Sequence, residues 1–264
     1  MMRLPLTQVD AFADRPFTGN PAAVMPLEAW LDDATLQAIA AENNLAETAF
    51  TVLSASGDAD YELRWFTPTS EVVMCGHATL ASGHVLMGEA GRIRFATRKA
   101  GILEVARDGA GYALTLPAWV PSPKPLPEVV AALELDPATL VETLWHEKDY
   151  GVVVLASEAA VRACAPDMRR LAAYGDWLTI VTAPGDTTDI VSRAFAPGAG
   201  IDEDPVTGSA HAVIVPYWAA RLGRDTMTAC QASVRGGYLT CRLEGNQVVL
   251  GGSCVTMIEG CMIL

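Results

Sequence analysis

The run Arg64-Trp65-Phe66-Thr67-Pro68 returns 129 positions later as Arg193-Ala194-Phe195-Ala196-Pro197, and this internal repeat constrains the fold more than any other feature of the chain. Lys99-Ala100-Gly101-Ile102-Leu103 is echoed by Arg235-Gly236-Gly237-Tyr238-Leu239, and Asp108-Gly109 before Leu114 by Glu244-Gly245 before Leu250, both displaced by 136. Three matches in one order at nearly one shift predict a duplicated domain. Between the copies lies Pro117-Ala118-Trp119-Val120-Pro121-Ser122-Pro123-Lys124-Pro125-Leu126-Pro127, too rich in proline for a helix or a central strand. The expected organisation is an N-terminal repeat domain over 1–117, a proline-rich linker over 118–127 and a C-terminal repeat domain over 128–264.

Both halves mix strands with helices. Asp32 or Asp33 can cap a helix with an apolar face of Leu36, Ile39 and Ala40, and Asn43-Asn44 can end it. Thr48–Leu53 and Leu63–Phe66 read as strands around the Ser54–Asp58 turn, and a second helix is expected from about His77 to Met87. The second half repeats the plan, with strands near 178–182 and 190–195 and a helix from about Gly208 to Leu222. Strand pairs at 103–116 and 239–250 close the halves. The fold class expected is α+β: two pseudosymmetric domains, each a curled, mostly antiparallel sheet around one apolar helix.

With 51% hydrophobic and 19% charged residues in 264, the chain can bury a large core, which excludes disordered and fibrous classes. Eighteen Lys and Arg against 31 Asp and Glu give a net charge of −13. That balance repels phosphate backbones and anionic lipid, so neither nucleic acid nor a membrane is expected as a partner. The six cysteines, at 75, 164, 230, 241, 254 and 261, match neither a zinc ribbon nor a small disulfide framework. No bound metal is expected. With no signal-peptide pattern at the N-terminus and no run of 18 apolar residues, the expected location is the cytoplasm.

Each long helix begins directly after a glycine-bearing loop, Cys75-Gly76-His77 in the first half and Thr207-Gly208-Ser209 in the second. Unpaired N–H groups and the positive end of the macrodipole sit at such starts. If pseudo-twofold symmetry brings both to one interdomain cleft, Gly76, Gly208 and Ser209 hold a carboxylate there; the alternative is that the glycines only solve a tight turn.

Gln8-Val9-Asp10-Ala11-Phe12, Pro16–Pro21 with Gly19-Asn20, Glu42–Phe50, Phe66-Thr67-Pro68, Cys75–Thr79, Asp204-Pro205-Val206-Thr207-Gly208-Ser209 and Arg235-Gly236-Gly237 together resemble the successive motifs of the PhzF-like isomerases, a family named for a phenazine-biosynthesis enzyme. The resemblance spans residues 8–237. It implies a fold similar to diaminopimelate epimerase and proton-transfer chemistry on a small cyclic or amino-acid-like carboxylic acid without a cofactor. It further implies Glu47 as the catalytic glutamate, Asp204 as its acidic partner and Asn20 among the substrate-binding residues. The assembly is left open, with a homodimer compatible.

On their own physics, Glu47 falls between a helix end and a strand start beside Leu45 and Phe50, where partial burial would raise its pKa toward the range of a general acid/base; a surface glutamate is the bland alternative. His77 at a helix start can donate to a substrate oxygen or relay a proton, or be a ring satisfied by nearby backbone. Asp204 by default is a turn residue. His84 and His211 read as packing or helix-surface residues. Diaminopimelate epimerase and proline racemase resemble this architecture but use two thiols; here Cys75 resembles the first thiol, and Pro205 is expected where the second would stand. A proton-shifting isomerase acting through Glu47, His77 and Asp204 is the expected function. A racemase or epimerase, or a non-catalytic binding protein on the same fold, are the alternatives.

Overall fold

Asp32 accepts the amide of Thr35 at 2.9 Å and opens the first helix where the sequence places it, while Asn44 closes it in the left-handed region at φ 48°, a conformation that Asn tolerates. Between these caps, Leu36, Ile39 and Ala40 form the buried face. They join a cluster with Leu4, Met25, Leu27, Phe50 and Phe66. The computed structural model describes residues 1–264.

In chain order the first elements are β1 (Arg3–Ala11), β2 (Asn20–Leu27), α1 (Asp33–Asn43), β3 (Glu47–Leu53), β4 (Tyr61–Phe66), β5 (Glu71–Val72), α2 (Gly76–Leu86), β6 (Arg92–Thr97), β7 (Ile102–Asp108) and β8 (Gly111–Pro117). There follow β9 (Ser122–Pro123), α3 (Pro127–Ala132), β10 (Leu140–His146), β11 (Tyr150–Leu155), α4 (Glu158–Ala163), α5 (Met168–Ala172), β12 (Leu178–Pro184), β13 (Ile190–Ala196), β14 (Ile201–Asp204), α6 (Gly208–Leu222), β15 (Thr226–Gln231), β16 (Gly237–Glu244), β17 (Gln247–Gly252) and β18 (Cys254–Ile263).

The repeat in sequence is a repeat in topology. In the first copy β2 runs parallel to β3, β3 antiparallel to β4, β4 parallel to β6 and β6 antiparallel to β7. In the second, β11 runs parallel to β12, β12 antiparallel to β13, β13 parallel to β15 and β15 antiparallel to β16. The β4–β6 and β13–β15 crossovers carry the corresponding helices α2 and α6. The shared R-x-F signature has a structural cause in both copies. The Arg64 guanidinium lies 5.0 Å from the Phe66 ring and forks onto Glu71 at 2.8 and 2.9 Å. The Arg193 guanidinium lies 5.0 Å from Phe195 and forks onto Glu203 at 2.6 and 3.0 Å. Each arginine thus ties its strand to the short strand before the helix through a bidentate pair.

Helix α2 is buried from Gly76 to Gly83 and touches β1, β2, β3, β6, β7 and β18, so the sheet curls around it. Gly83 permits the closest approach, since a Cβ there would sit 2.5 Å from Val105 Cγ1. His84 is a packing residue, as read from the sequence: its ring nitrogens lie 3.0 Å from the Tyr112 hydroxyl and 2.8 Å from Thr256 Oγ1. Helix α6 buries His211 and most of its other residues, and packs on β11, β12 and β16.

The chain divides into two compact units, Met1–Thr115 with Gly251–Leu264, and Leu116–Leu250. The break after Thr115 falls beside the expected end of the N-terminal domain at 117, and Gly251–Leu264 joins the first unit instead of the second. The last strand returns to the first unit because β18 pairs antiparallel with β1 from Arg3↔Ile263 to Ala11↔Cys254. The proline-rich segment is not a free tether either. Ser122 and Pro123 pair with Trp145 and Leu144, the Trp119 amide donates to the Ala212 carbonyl at 3.0 Å, and Leu126 joins the second unit's core with Val153, Val181 and Phe195. Proline suits both a two-residue edge strand and the first position of α3. All six cysteines are free, and no helix is long and apolar enough to cross a membrane.

Candidate functional site

In the first unit the backbone brings three strand and helix starts together. Gly19, at φ +67°, precedes Asn20 at the head of β2; a Cβ there would meet the Ala11 carbonyl at 2.2 Å, so only glycine fits. Glu47 opens β3 opposite Ala22 of β2, three residues past the αL cap of α1. Cys75 is the N-cap of α2, Gly76 its first residue and His77 its second. Asn20, Glu47, Cys75 and His77 are all buried, with Glu47 retaining 8% exposure.

His77 Nε2 stands 2.9 Å from Glu47 Oε2, and the Asn20 side-chain amide lies 3.1 Å from His77 Nδ1. The ring edge is not turned squarely onto the carboxylate, and Oε2 keeps unfilled acceptor capacity. Cys75 Sγ is 3.5 Å from Nδ1 and 3.9 Å from Nε2. Burial, and secondly the Glu47 charge, push the Cys75 thiol up to about 11, so it keeps its proton at neutral pH. Burial opposes charging of His77, but the Cys75 and Glu47 side chains beside the ring outweigh it and raise the imidazole well above the ordinary histidine value. A protonated ring donates from both nitrogens, which requires Asn20 to turn its oxygen toward Nδ1, an amide reversal that side-chain rotation permits.

The second unit builds its own cluster. Asp204 ends β14 with 9% exposure, and its Oδ2 accepts the Thr207 hydroxyl at 2.5 Å. Thr207 is the N-cap of α6, followed by Gly208 and Ser209. Gln231, fully buried at the end of β15, accepts the Thr207 amide at 2.8 Å and donates to the Asp204 carbonyl at 2.7 Å and to Thr207 Oγ1 at 3.0 Å. The half-buried Ser209 side chain bonds the Tyr150 hydroxyl, whose pKa burial raises against that bond. Gln231 and Tyr150 were not singled out from sequence. Each lies far along the chain from the loop it holds, and neither belongs to a motif; strand pairing alone brings them there.

Superposing the repeats by their helix caps and strand registers shows how unequal the two clusters are. Cys75 corresponds to Thr207, His77 to Ser209 and Thr79 to His211. Thr207, not Pro205, is therefore the residue standing where a second thiol would be: Cys75 and Thr207 each stand three residues past the short strand that precedes their helix. Thr79 Oγ1 bonds back to the Cys75 carbonyl at 2.5 Å, and His211 Nδ1 lies 2.8 Å from the Thr207 carbonyl, the same back-bond to the cap. Glu47 corresponds to Leu178, the first residue of β12. The carboxylate–imidazole pair is thus present once, in the first unit. One donor atom each of Glu47, Cys75 and His77 lies within 4.8 Å of the other two.

A family model described as phenazine biosynthesis-like protein matches residues 9–260. The chain is 47% identical to an uncharacterized isomerase of Pseudomonas aeruginosa, with both chains covered in full. The crystal structure of a phenazine biosynthesis protein of the PhzF family from Enterococcus faecalis superposes with a TM-score of 0.92 at 43% identity, over all of both chains. A hydroxyproline epimerase from Agrobacterium vitis shares the fold alone, with a TM-score of 0.62 at 10% identity over 98% of this chain and 92% of its own. The α+β architecture expected from the repeat, with its likeness to the epimerase fold, is the one observed, and the chain belongs to the phenazine biosynthesis-like, or PhzF, family.

Proposed function

We propose that this protein is a cofactor-independent isomerase in which Glu47 moves a proton between two atoms of one small carboxylic acid. The observation that carries the reading is the buried Glu47–His77 pair with its free carboxylate capacity; the isomerase name of the Pseudomonas relative supports the reaction class. The Glu47 carboxylate takes a proton from a substrate carbon and returns it to another atom on the same face, as general base and then general acid. His77, charged while Glu47 is an anion, holds the carboxylate in place and offers its proton to a substrate oxygen that gains charge. Asp204, fixed through Thr207 and Gln231, orients the substrate. The starts of α2 and α6, at Gly76 and at Gly208 and Ser209, with Asn20, hold the substrate carboxylate by orphan N–H groups and helix dipole.

A two-thiol racemase needs a reactive thiol on each face of the carbon. The thiol of Cys75 is held protonated and its counterpart is Thr207, so the one-base isomerase is the better supported reading. The test is a panel of cyclic and amino carboxylic acids incubated in deuterated water with the wild type and with Glu47→Gln. Deuterium uptake by one of them that depends on Glu47 supports the reading. Uptake that survives Glu47→Gln places the chemistry elsewhere, and binding without any uptake points to a binding protein.

A further inference from the structure

Strand β4 alternates, so Glu62, Arg64 and Phe66 share one sheet face. It is the face that carries α1, because Phe66 joins the α1 cluster and Arg64 reaches Asp33 at 2.9 Å. Opposite these residues on β3 stand Val52, Phe50 and Thr48, which puts Glu47 on the other face. Along the α1 face lies a cavity of about 170 Å³ whose lining includes Trp30, Ser54, Glu62, Arg64, Ala96 and Arg98. A void of about that size takes a benzene-sized ligand. Ala96 is the register partner of Glu62, and its methyl leaves room where a longer side chain would fill the floor.

Two groups along this cavity hold unfilled hydrogen-bonding capacity. Arg64 is only 3% exposed; its Nε and Nη2 fork onto Glu71 and Nη2 also reaches Asp33, while Nη1 has no protein partner. Glu62 Oε2 accepts the Trp30 indole N–H at 2.7 Å, and Oε1 stays open. Arg98, at the rim, has Glu71 alone at 3.5 Å. Two guanidinium groups thus stand among the carboxylates of Asp33, Glu71 and Glu62, and that one excess negative charge disfavours a bare anion. A ligand carrying both signs meets the open donor and the open acceptor together.

We propose that this cavity binds a small α-amino acid as its zwitterion, with the carboxylate on Arg64 Nη1 and Arg98, the ammonium on Glu62 Oε1 and the Trp30 indole as a wall. No covalent bond forms or breaks. The site lies on the sheet face away from Glu47 and does not rest on the isomerase reading.

The experiment is calorimetric titration of the full chain with L-alanine, L-serine and L-proline, and with N-acetyl-L-alanine and L-alanine methyl ester, which each lack one of the two charges. At least one free amino acid should bind, and each blocked derivative should bind at least roughly tenfold more weakly than L-alanine, the loss expected for a hydrogen bond to a charged group. Glu62→Gln keeps an oxygen for Trp30 and Arg98→Ala alters an exposed rim residue, so both variants should fold and each should weaken binding by roughly tenfold or more. Glu47→Gln should bind as the wild type does. No binding of the three free amino acids, or unchanged binding in Glu62→Gln and Arg98→Ala, overturns the site. Binding lost in Glu47→Gln and kept in Glu62→Gln places the amino acid beside His77 instead, which overturns this inference and leaves the proposed function standing.

Discussion

His77 Nε2 lies 2.9 Å from Glu47 Oε2 with the two side chains only 4% and 11% exposed, so the base and its counter-charge leave water together. A buried carboxylate without a partner would be neutralised, and a base that is neutral at the start cannot accept a proton. The His77 ring supplies that partner, and the imperfect alignment leaves Oε2 free to work.

Glu47→Gln keeps the shape and one acceptor oxygen but cannot take and return a proton. Single-turnover rates should fall by at least roughly 10²- to 10⁴-fold while the substrate dissociation constant changes little. Deuterium incorporation measured alongside should fall in step; wild-type rates would show that another group carries the proton.

Cys75→Ser separates one base from two. Because the thiol is held protonated and its counterpart in the second repeat is Thr207, kcat should stay within about tenfold of wild type, whereas a two-thiol racemase loses orders of magnitude. The measurement is kcat on the acid found by exchange screening; a folded, inactive variant restores the racemase.

Gln231→Leu removes a side chain whose bonds all go to the loop carrying Asp204. The Thr207 amide and Asp204 carbonyl lose buried partners, which should cost about 2 kcal/mol in urea unfolding. If the clamp orients Asp204 for binding, KM should rise more than kcat falls. A Gln231→Leu enzyme with unchanged KM and a lowered kcat would assign Asp204 to the chemical step instead.

Much of this was legible in the sequence where the cause is local. Asp32 and Asn44 announce their helix ends through short-range capping, and the R-x-F repeat is readable because Arg and Phe two apart on a strand share a face. Glu71 and Glu203, the partners that explain the signature, escape notice because they stand at different offsets, seven residues after Arg64 but ten after Arg193. The return of β18 to β1 was hidden for the same reason at larger scale, since pairing between the two chain ends leaves no mark in either segment alone. At the site, Glu47, His77 and Asn20 were named from motifs, but that they meet is a fact of strand register, as is the Gln231 clamp.

His211 makes stability depend on pH in a window set by its burial. Burial, against the bond to the Thr207 carbonyl, pulls its pKa from 6.5 down to about 4. The unfolded chain therefore binds a proton as pH falls below 6.5 while the folded chain does not, so the protein loses stability between about pH 6.5 and 4 and the loss levels off below the folded value. The full effect is about 3 kcal/mol, from roughly 1.4 kcal/mol for each pH unit crossed. His211→Gln cannot titrate there, and its urea-unfolding free energy should fall by about 3 kcal/mol less than wild type between pH 7 and pH 4. The comparison within each variant cancels the constant cost of replacing the ring. Equal pH dependence in the two proteins would mean that His211 gains its proton in the folded state, and that the helix start of the second unit opens to water in acid.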